Sequence, residues 1–342
     1  MKKLLVLFVG VILSASCITV NTQSQGNTPL ISRTFTASSI KQVEATTSAG
    51  SITLIGDAGS EAKVEVYSSR SDWSAERIKQ VLNENYTIDI KLEGGKLIAS
   101  AKPKKSINWN NQGLGISFKI SVPRQVNSNL QTSGGSISIS NLSGSQNFKT
   151  SGGSLSVANV SGNITGATSG GSINVTDSND KINLTTSGGS INATACSGTI
   201  NLATSGGSIN LSSLTGNIYA ATSGGSISAS SISGMIKAGT SGGSVRLAGI
   251  SGNVDASTTG GSIDVKVIST GDYVKLSNSG NISLTLPSGQ GYNLKVKANK
   301  VETSSLKDFR GNVESKSLDG TVGSGGAEIN VKSSQSVRLS FE

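Results

Sequence analysis

Asp177, Asp180 and Lys181 put two carboxylates and an amine within five positions, in the only repeat whose second turn reads Ser-Asn-Asp-Lys, groups able to share a proton or hold a cation. Carboxylate pairs hydrolyse glycosidic bonds when both converge on one linkage. The plainer reading is a turn, because Asp, Asn and Ser favour bends by bonding to their own backbone. Asp255, Asp264 and Asp272 are scattered and suggest no second constellation. The chain has no histidine, which removes imidazole triads, imidazole metal ligands and proton shuttling near neutral pH. The internal thiol, Cys196, shares a repeat column with Leu142, Val160, Ser178, Leu214, Ile232 and Ile250 and reads as a small buried hydrophobe. No catalytic residue, cofactor or metal ligand is expected, and the chain is not expected to be an enzyme.

Cys17 belongs to a different chemistry. Lys2 and Lys3 precede an apolar run from Leu4 to Leu13 and the small residues Ser14, Ala15 and Ser16, the pattern of a secretory signal peptide. The run is shorter than the roughly 20 residues a membrane helix needs. Leu13-Ser14-Ala15-Ser16-Cys17 resembles a bacterial lipobox, with Ser14 where Leu is usual. That resemblance implies lipidation of Cys17 and an exported lipoprotein anchored in the cell envelope, at the outer membrane. Small residues at Ser14 and Ser16 also suit ordinary cleavage and soluble export. The expected division is a signal peptide at 1–16 and a flexible tether at 17–30, whose Asn, Thr, Gln and Ser show no apolar pattern.

The elements that must carry these groups are unusual in composition. Only 35% of the chain is hydrophobic, 4% aromatic and 14% charged, against roughly 25% charged in ordinary domains. Glycine (43) and serine (63) abound, which without periodicity would signal disorder. Residues 132–275 carry six basic and five acidic groups and are nearly neutral. Lys102, Lys104 and Lys105, near Trp109, form the one basic cluster singled out by the sequence, and a solvated turn accounts for it. A nucleic-acid partner, which would want a basic stripe interleaved with aromatics, is not expected.

A repeat of eighteen residues organises the centre. Thr132, Thr150, Thr168, Thr186, Thr204, Thr222, Thr240 and Thr258 each open a Thr-Ser-Gly-Gly-Ser motif, Thr-Thr-Gly-Gly-Ser in the last. Ile137, Leu155, Ile173, Ile191, Ile209, Ile227, Val245 and Ile263 follow at a fixed distance, with a second apolar residue two positions later. That alternation is a strand, and pairs such as Ile182 with Leu184 give each repeat a second one. The Gly-Gly pairs and the turns at Ser161 to Asn163, Thr215 to Asn217 and Ser251 to Asn253 are read as corners needing positive φ. An 18-residue unit cannot bury its own apolar face, so neighbours must stack. The expected fold is therefore all-β: a β-solenoid of 18-residue coils over 132–275, capped by a β-rich unit with one short helix over 31–131, and closed by irregular coils and a cap over 276–342. The helix is expected between Ser71 and Asn85, with Ser71 or Ser74 as N-cap. The period is expected to slip after Lys275. Tyr219 and Tyr273 are expected to point outward three coils apart.

The Thr-Ser-Gly-Gly-Ser-Ile strands, the lead-in Ile116 to Pro123 running into Leu130-Gln131-Thr132-Ser133-Gly134-Gly135, and the tail Gly325-Gly326-Ala327-Glu328-Ile329-Asn330-Val331 resemble a bacterial β-strand-repeat family named as adhesins. The resemblance covers about residues 31–342 and brings no catalytic residues with it. It implies a non-enzymatic scaffold of the cell envelope or surface, with an unknown surface, glycan or protein ligand. A glycan- or envelope-polymer-binding module is the alternative, and a carbohydrate-active enzyme a more distant one. Calcium-binding β-rolls share the period, but Ile173 and Val175 stand where their glycine and aspartate would be. Ice-binding solenoids carry regular Thr-x-Thr arrays, whereas the outward pairs here vary from Asn174 and Thr176 to Arg246 and Ala248.

Overall fold

The computed structural model describes residues 28–57, 59–70, 72–105, 113–304 and 306–342. Cys17, the signal-peptide segment and Trp109 lie outside them. The protein is all-β, with twenty-five strands and one α-helix among the described residues.

Each residue of the repeat motif has a separate job. The threonine is buried: Thr204 Oγ1 donates to Gly189 O (2.8 Å) and accepts from Gly207 N–H (3.3 Å), and Thr150 repeats the pattern on Gly135 and Gly153. The last serine joins successive repeats, since Ser190 N–H donates to Ser172 Oγ and Ser208 N–H to Ser190 Oγ. The two glycines differ. A Cβ on Gly207 would lie 2.0 Å from Gly189 O, whereas one on Gly206 would meet nothing closer than 3.5 Å. Neither lies in the positive-φ region, so this part of the sequence reading is corrected: the second glycine is needed for close approach between layers, not for handedness. The left-handed corners sit elsewhere, at Asn141 (φ 57°), Asn159 (53°), Asp177 (50°), Ala195 (53°), Ser213 (57°) and Ser231 (55°). The Ser-Gly-Asn type turns do use positive φ, at Gly162 (102°), Gly216 (117°) and Gly252 (133°).

These corners set up two stacks of parallel pairs. In one, Leu155 pairs with Ile173, Ile173 with Ile191 and Ile191 with Ile209; in the other, Ile164 pairs with Ile182, Ile182 with Ile200 and Ile200 with Ile218. The long strands Leu155–Thr168 and Ile209–Ala221 belong to both stacks, so with the four short strands between them they close a ring of six parallel strands. The expected inward column from Ile137 to Ile263 is at most 1% exposed throughout. Burying each such side chain contributes about 1.5–3 kcal/mol. Size is compensated between layers, for the Phe148 ring occupies the space where a Cβ on Gly166 would come within 2.3 Å of it. Two polar residues stand in the other inward column: Gln146, opposite Ile164, is fully buried, accepts from Ser128 Oγ (2.6 Å), itself buried in the next layer, and donates to Val126 O (2.7 Å).

The ends depart from chain order. Strands Gln42–Thr46 and Ile52–Asp57, flanking the degenerate Thr47-Ser48-Ala49-Gly50-Ser51 motif, pair in parallel with Asn127–Gln131 and Ile137–Lys149. Their opposite edges pair with Lys96–Pro103 and Ile116–Pro123. The layer that comes earlier in the sequence thus sits between two later ones, and Thr132 Oγ1 donates to Gly50 O across 82 residues. The other end mirrors this. Ala327–Ser333 and Ser336–Phe341 lie between Ile263–Asn278 with Ile282–Leu286 on one side and Tyr292–Lys297 with Lys300–Thr303 on the other. Antiparallel strands then cover three of the four outermost parallel edges: Glu61–Ser68 on Ile116–Pro123, Tyr86–Glu93 on Lys96–Pro103, and Ser317–Val322 on Tyr292–Lys297. The helix Ala75–Asn85 begins at Ser74, whose side chain accepts from Arg77 N–H, and it buries Ile78. Gly94 and Gly95, at φ 57° and 81°, make the hairpin between Tyr86–Glu93 and Lys96–Pro103.

The period slips earlier than the sequence suggests. Register shifts between Ala248 and Val254 take Val254 opposite Val274, and Thr258 opposite Asn278. Ile268 is left 60% exposed in the same strand. Tyr273 lies in the strand three layers from that of Tyr219, and the slip takes it out of Tyr219's column, which continues through Lys237 and Asp255 to Lys275.

Candidate functional site

The acid pair singled out by the sequence is built into corners. Asp177 holds the left-handed position that Asn141, Asn159 and Ala195 hold in other repeats. Asp180, at φ 78°, stands in a column of glycines between Gly162 and Gly198, and its carboxylate accepts from Gly162 N–H at 2.9 Å. Both acids therefore have positions explained by the backbone. Asp255 pairs with Lys237 (3.4 Å) and Asp264 with Arg246 (3.9 Å), each across neighbouring layers. Asp272 donates its backbone N–H to Asn253 Oδ1. Cys196 is 2% exposed and its Sγ lies 3.2 Å from Thr194 O. Burial pushes its thiol pKa up, so little thiolate forms at neutral pH. Lys104 Nζ donates to Asn83 O, as a solvated turn residue would.

The outward side chains form a more distinctive surface. Along one stack, Asn192 Nδ2 donates to Asn174 Oδ1 (2.8 Å) and Asn210 Nδ2 to Asn192 Oδ1 (2.9 Å). The parallel sheet imposes this ladder, because identical residues in register lie about 4.8 Å apart. A shallow groove of about 410 Å³ runs here between Asn192, Asn210 and Ser228 on one side and Thr194, Ser212 and Ser230 on the other, with Arg246 at one end. The sequence contains these columns but not the groove between them.

A second concavity went unread in the sequence. Loops around 288–291, 306–308 and 322–324 enclose about 410 Å³ at the C-terminal end, lined by Leu306, Val322 and Phe341 together with Ser288, Gln290 and Lys307. Tyr292 stands behind it, fully buried, donating to Pro287 O (2.6 Å), and burial pushes its pKa up to about 12. The available signal was the turn chemistry of Pro287-Ser288-Gly289 and Gly323 to Gly326, which marks loops without saying that they converge.

No protein-family profile matches the chain, and no curated protein matches it. Solved structures do show similarity. A candidate cell adhesion protein from Clostridium sporogenes is 9% identical, covers 91% of this chain and 99% of its own, and has a TM-score of 0.23. A candidate adhesin from Bacteroides fragilis is 16% identical over 74% of this chain and 95% of its own, with a TM-score of 0.30. A candidate lipid binding protein from Parabacteroides distasonis is 17% identical over 75% of this chain and 97% of its own, with a TM-score of 0.36. Two of the three bear adhesion names, and at these TM-scores the likeness says nothing of what this chain is or binds.

Proposed function

We propose that this chain is an exported, non-enzymatic scaffold of the cell envelope or surface, held to a membrane by lipid on Cys17. Its body winds as a β-solenoid with one coil per eighteen residues, a reading supported by hydrogen bonds such as Asn192 to Asn174 that join residues 18 apart. The observation that carries the functional reading is the amide and hydroxyl ladder from Asn174 to Ser230. It is a repeated polar face with no single focal residue, suited to an extended partner. A glycan- or envelope-polymer-binding module is the second reading, favoured by the groove between Asn210 and Ser212.

Whole-repeat deletion tests this. Removing Thr186 to Ala203 joins Thr185 to Thr204 and keeps every inward column aligned. Co-sedimentation of the mature chain with isolated cell envelopes should fall gradually as one, two and three repeats are removed. Total loss on removing one particular repeat, in a variant still folded by circular dichroism, would replace the scaffold with a localised site. For the anchor, Cys17→Ala should move the protein from the membrane to the soluble fraction, because the several acyl chains of a lipoprotein hold where one binds only marginally.

A further inference from the structure

Two arginines share one indole in the N-terminal unit. The guanidinium carbons of Arg70 and Arg77 lie 5.0 Å and 4.2 Å from the centre of the Trp73 ring, and Trp73 is 9% exposed. Arginine stacks on an aromatic face while its fork of N–H donors still points outward, so the ring holds two cations together at the surface. Arg77 is exposed and Arg70 half-buried. Arg70 Nε donates to Gly113 O (3.4 Å), and neither guanidinium makes an ion pair among the described residues. The adjacent acids leave the pair uncompensated. Glu76 accepts from its own backbone N–H and from Ser74, which hold its carboxyl below the usual range, and Asp72 is exposed and makes no ion pair among the described residues. Arg77 also stands in the first turn of Ala75–Asn85, where a cation works against the helix dipole.

The far end of the same helix adds positive charge. Lys102, Lys104 and Lys105 are exposed there, with Lys104 N–H donating to Asn85 O and its Nζ to Asn83 O. Backbone bonds tie the two ends together, since Ser69 N–H donates to Gly115 O and Leu114 N–H to Tyr86 Oη (2.8 Å). Residues 70–85 and 102–105 carry six basic and three acidic groups, and the remaining acid, Glu84, accepts from Gln80 Nε2. The chain enters the fold at this corner. Ile31–Thr36 runs antiparallel to Glu61–Ser68, with Ile31 opposite Val66 and Leu30 N–H donating to Val66 O (2.7 Å), so the chain upstream of Leu30 departs beside the segment from Ser68 to Arg70. The thirteen residues from Cys17 to Leu30 span at most about 45 Å. A lipid on Cys17 therefore keeps this corner, of all the molecule's surfaces, within short reach of the bilayer.

We infer that Arg70 and Arg77, with the lysines of 102–105, dock this corner on the anionic phospholipid headgroups of the membrane that holds the Cys17 lipid. Guanidinium groups meet headgroup phosphates through paired hydrogen bonds, and the lysines add attraction to the negative surface. The lipid sets the distance of the body from the membrane, and the cationic corner sets which face meets it. The inference rests on the membrane-anchored reading above and adds the surface by which the folded body is oriented.

The test is co-sedimentation of the unacylated mature chain, carrying Cys17→Ala, with vesicles of phosphatidylcholine and with vesicles that also contain phosphatidylglycerol. The anionic vesicles should bind about tenfold more tightly or better, with the preference fading as salt is raised. The double variant Arg70→Gln, Arg77→Gln should lose most of that preference, whereas Arg70→Lys, Arg77→Lys keeps the charge and should retain about half of it or more. Lys297→Gln with Lys332→Gln removes the same charge at the C-terminal end and should bind like the parent. Equal binding to both vesicles, an arginine-to-glutamine variant that binds like the parent, or an equal loss in the C-terminal pair would overturn the docking corner. So would displacement by inorganic phosphate at an ionic strength where chloride has no effect, which would make the arginines a site for a free anion. Arginine-dependent vesicle binding by a chain whose Cys17 form is wholly soluble in cells would remove the lipid and leave the corner. A chain that pellets with membranes when acylated but shows no vesicle preference would do the reverse.

Discussion

The centre and the ends of this molecule use the same hydrogen bond for different purposes. In the centre Thr204 reaches Gly189, 15 residues back, and at the N-terminal end Thr132 reaches Gly50, 82 residues back. Donor, acceptor and burial match, but the first bond records a local rule and the second closes a long loop. The ends need the long loops because a stack of parallel strands exposes an edge at each extremity, and exposed edges pair with other chains. Interleaving a terminal layer between two others and adding antiparallel strands outside covers three of the four outermost edges with the chain's own residues. Repetition therefore builds length, and departure from repetition limits it.

The sharpest way to break this comparison is to delete one layer from each of the two regions. Removing Thr186 to Ala203 takes out one central layer and should leave a cooperative fold, with its melting temperature within a few degrees of the parent. Removing Ala327 to Glu342 takes out the layer wedged between Ile263–Asn278 with Ile282–Leu286 and Tyr292–Lys297 with Lys300–Thr303. That truncation should expose apolar surface, read as dye binding, and collapse the C-terminal end. Two equally mild deletions would show that the wedged layer adds little.

A single carbon sharpens the account of the centre. Gly207→Ala forces a Cβ to 2.0 Å from a backbone oxygen that has no flexible side chain to move aside. The expected loss is about 3 kcal/mol or more, at or above the usual range for overpacking. Gly206→Ala meets only ordinary contacts and should stay within about 1 kcal/mol of the parent. Thermal unfolding followed by circular dichroism separates the two, and similar losses would reject the close-approach explanation of the motif.

Thr132→Val and Thr204→Val compare the two loops directly. Each removes two side-chain hydrogen bonds of one hydroxyl and should cost about 1–3 kcal/mol at equilibrium. Closing 82 residues rather than 15 costs about 1.5 kcal/mol more in chain entropy. Contacts that close the longer loop should thus form later, so Thr132→Val should speed unfolding while Thr204→Val also slows folding. Stopped-flow measurements that placed both effects on the same rate would undo the distinction.

The smallest effect concerns pH. Tyr292 keeps its proton to about 12 in the fold because burial disfavours the phenolate, whereas an unfolded tyrosine releases it near pH 10. Between these values the folded state binds more protons, so stability falls as pH rises through that window. Tyr292→Phe should flatten this alkaline decline. An unchanged decline would place its cause in other groups.

Much of the architecture is legible in the residues. The period, the inward column from Ile137 to Ile263, the helix capped at Ser74 and the Gly94-Gly95 hairpin each follow from patterns that close within one repeat or one turn. Burial of Cys196 follows from its column in the same way. The roles of Asp177 and Asp180 were half legible, as turn formers, but not the substitution of Asp180 into a glycine column.

What the sequence alone determined is thus the local unit: two short strands, a corner held by a buried threonine, and an apolar face that must be stacked. Tertiary structure alone decided the order of the layers at each end, which glycine of each pair is indispensable, the slip before Val274, and the groove beside Asn210. The physical reason is range. Alternation and turn chemistry act over a few residues and are written in each repeat, whereas layer order and concavity depend on pairings between segments far apart in sequence, which no single segment encodes.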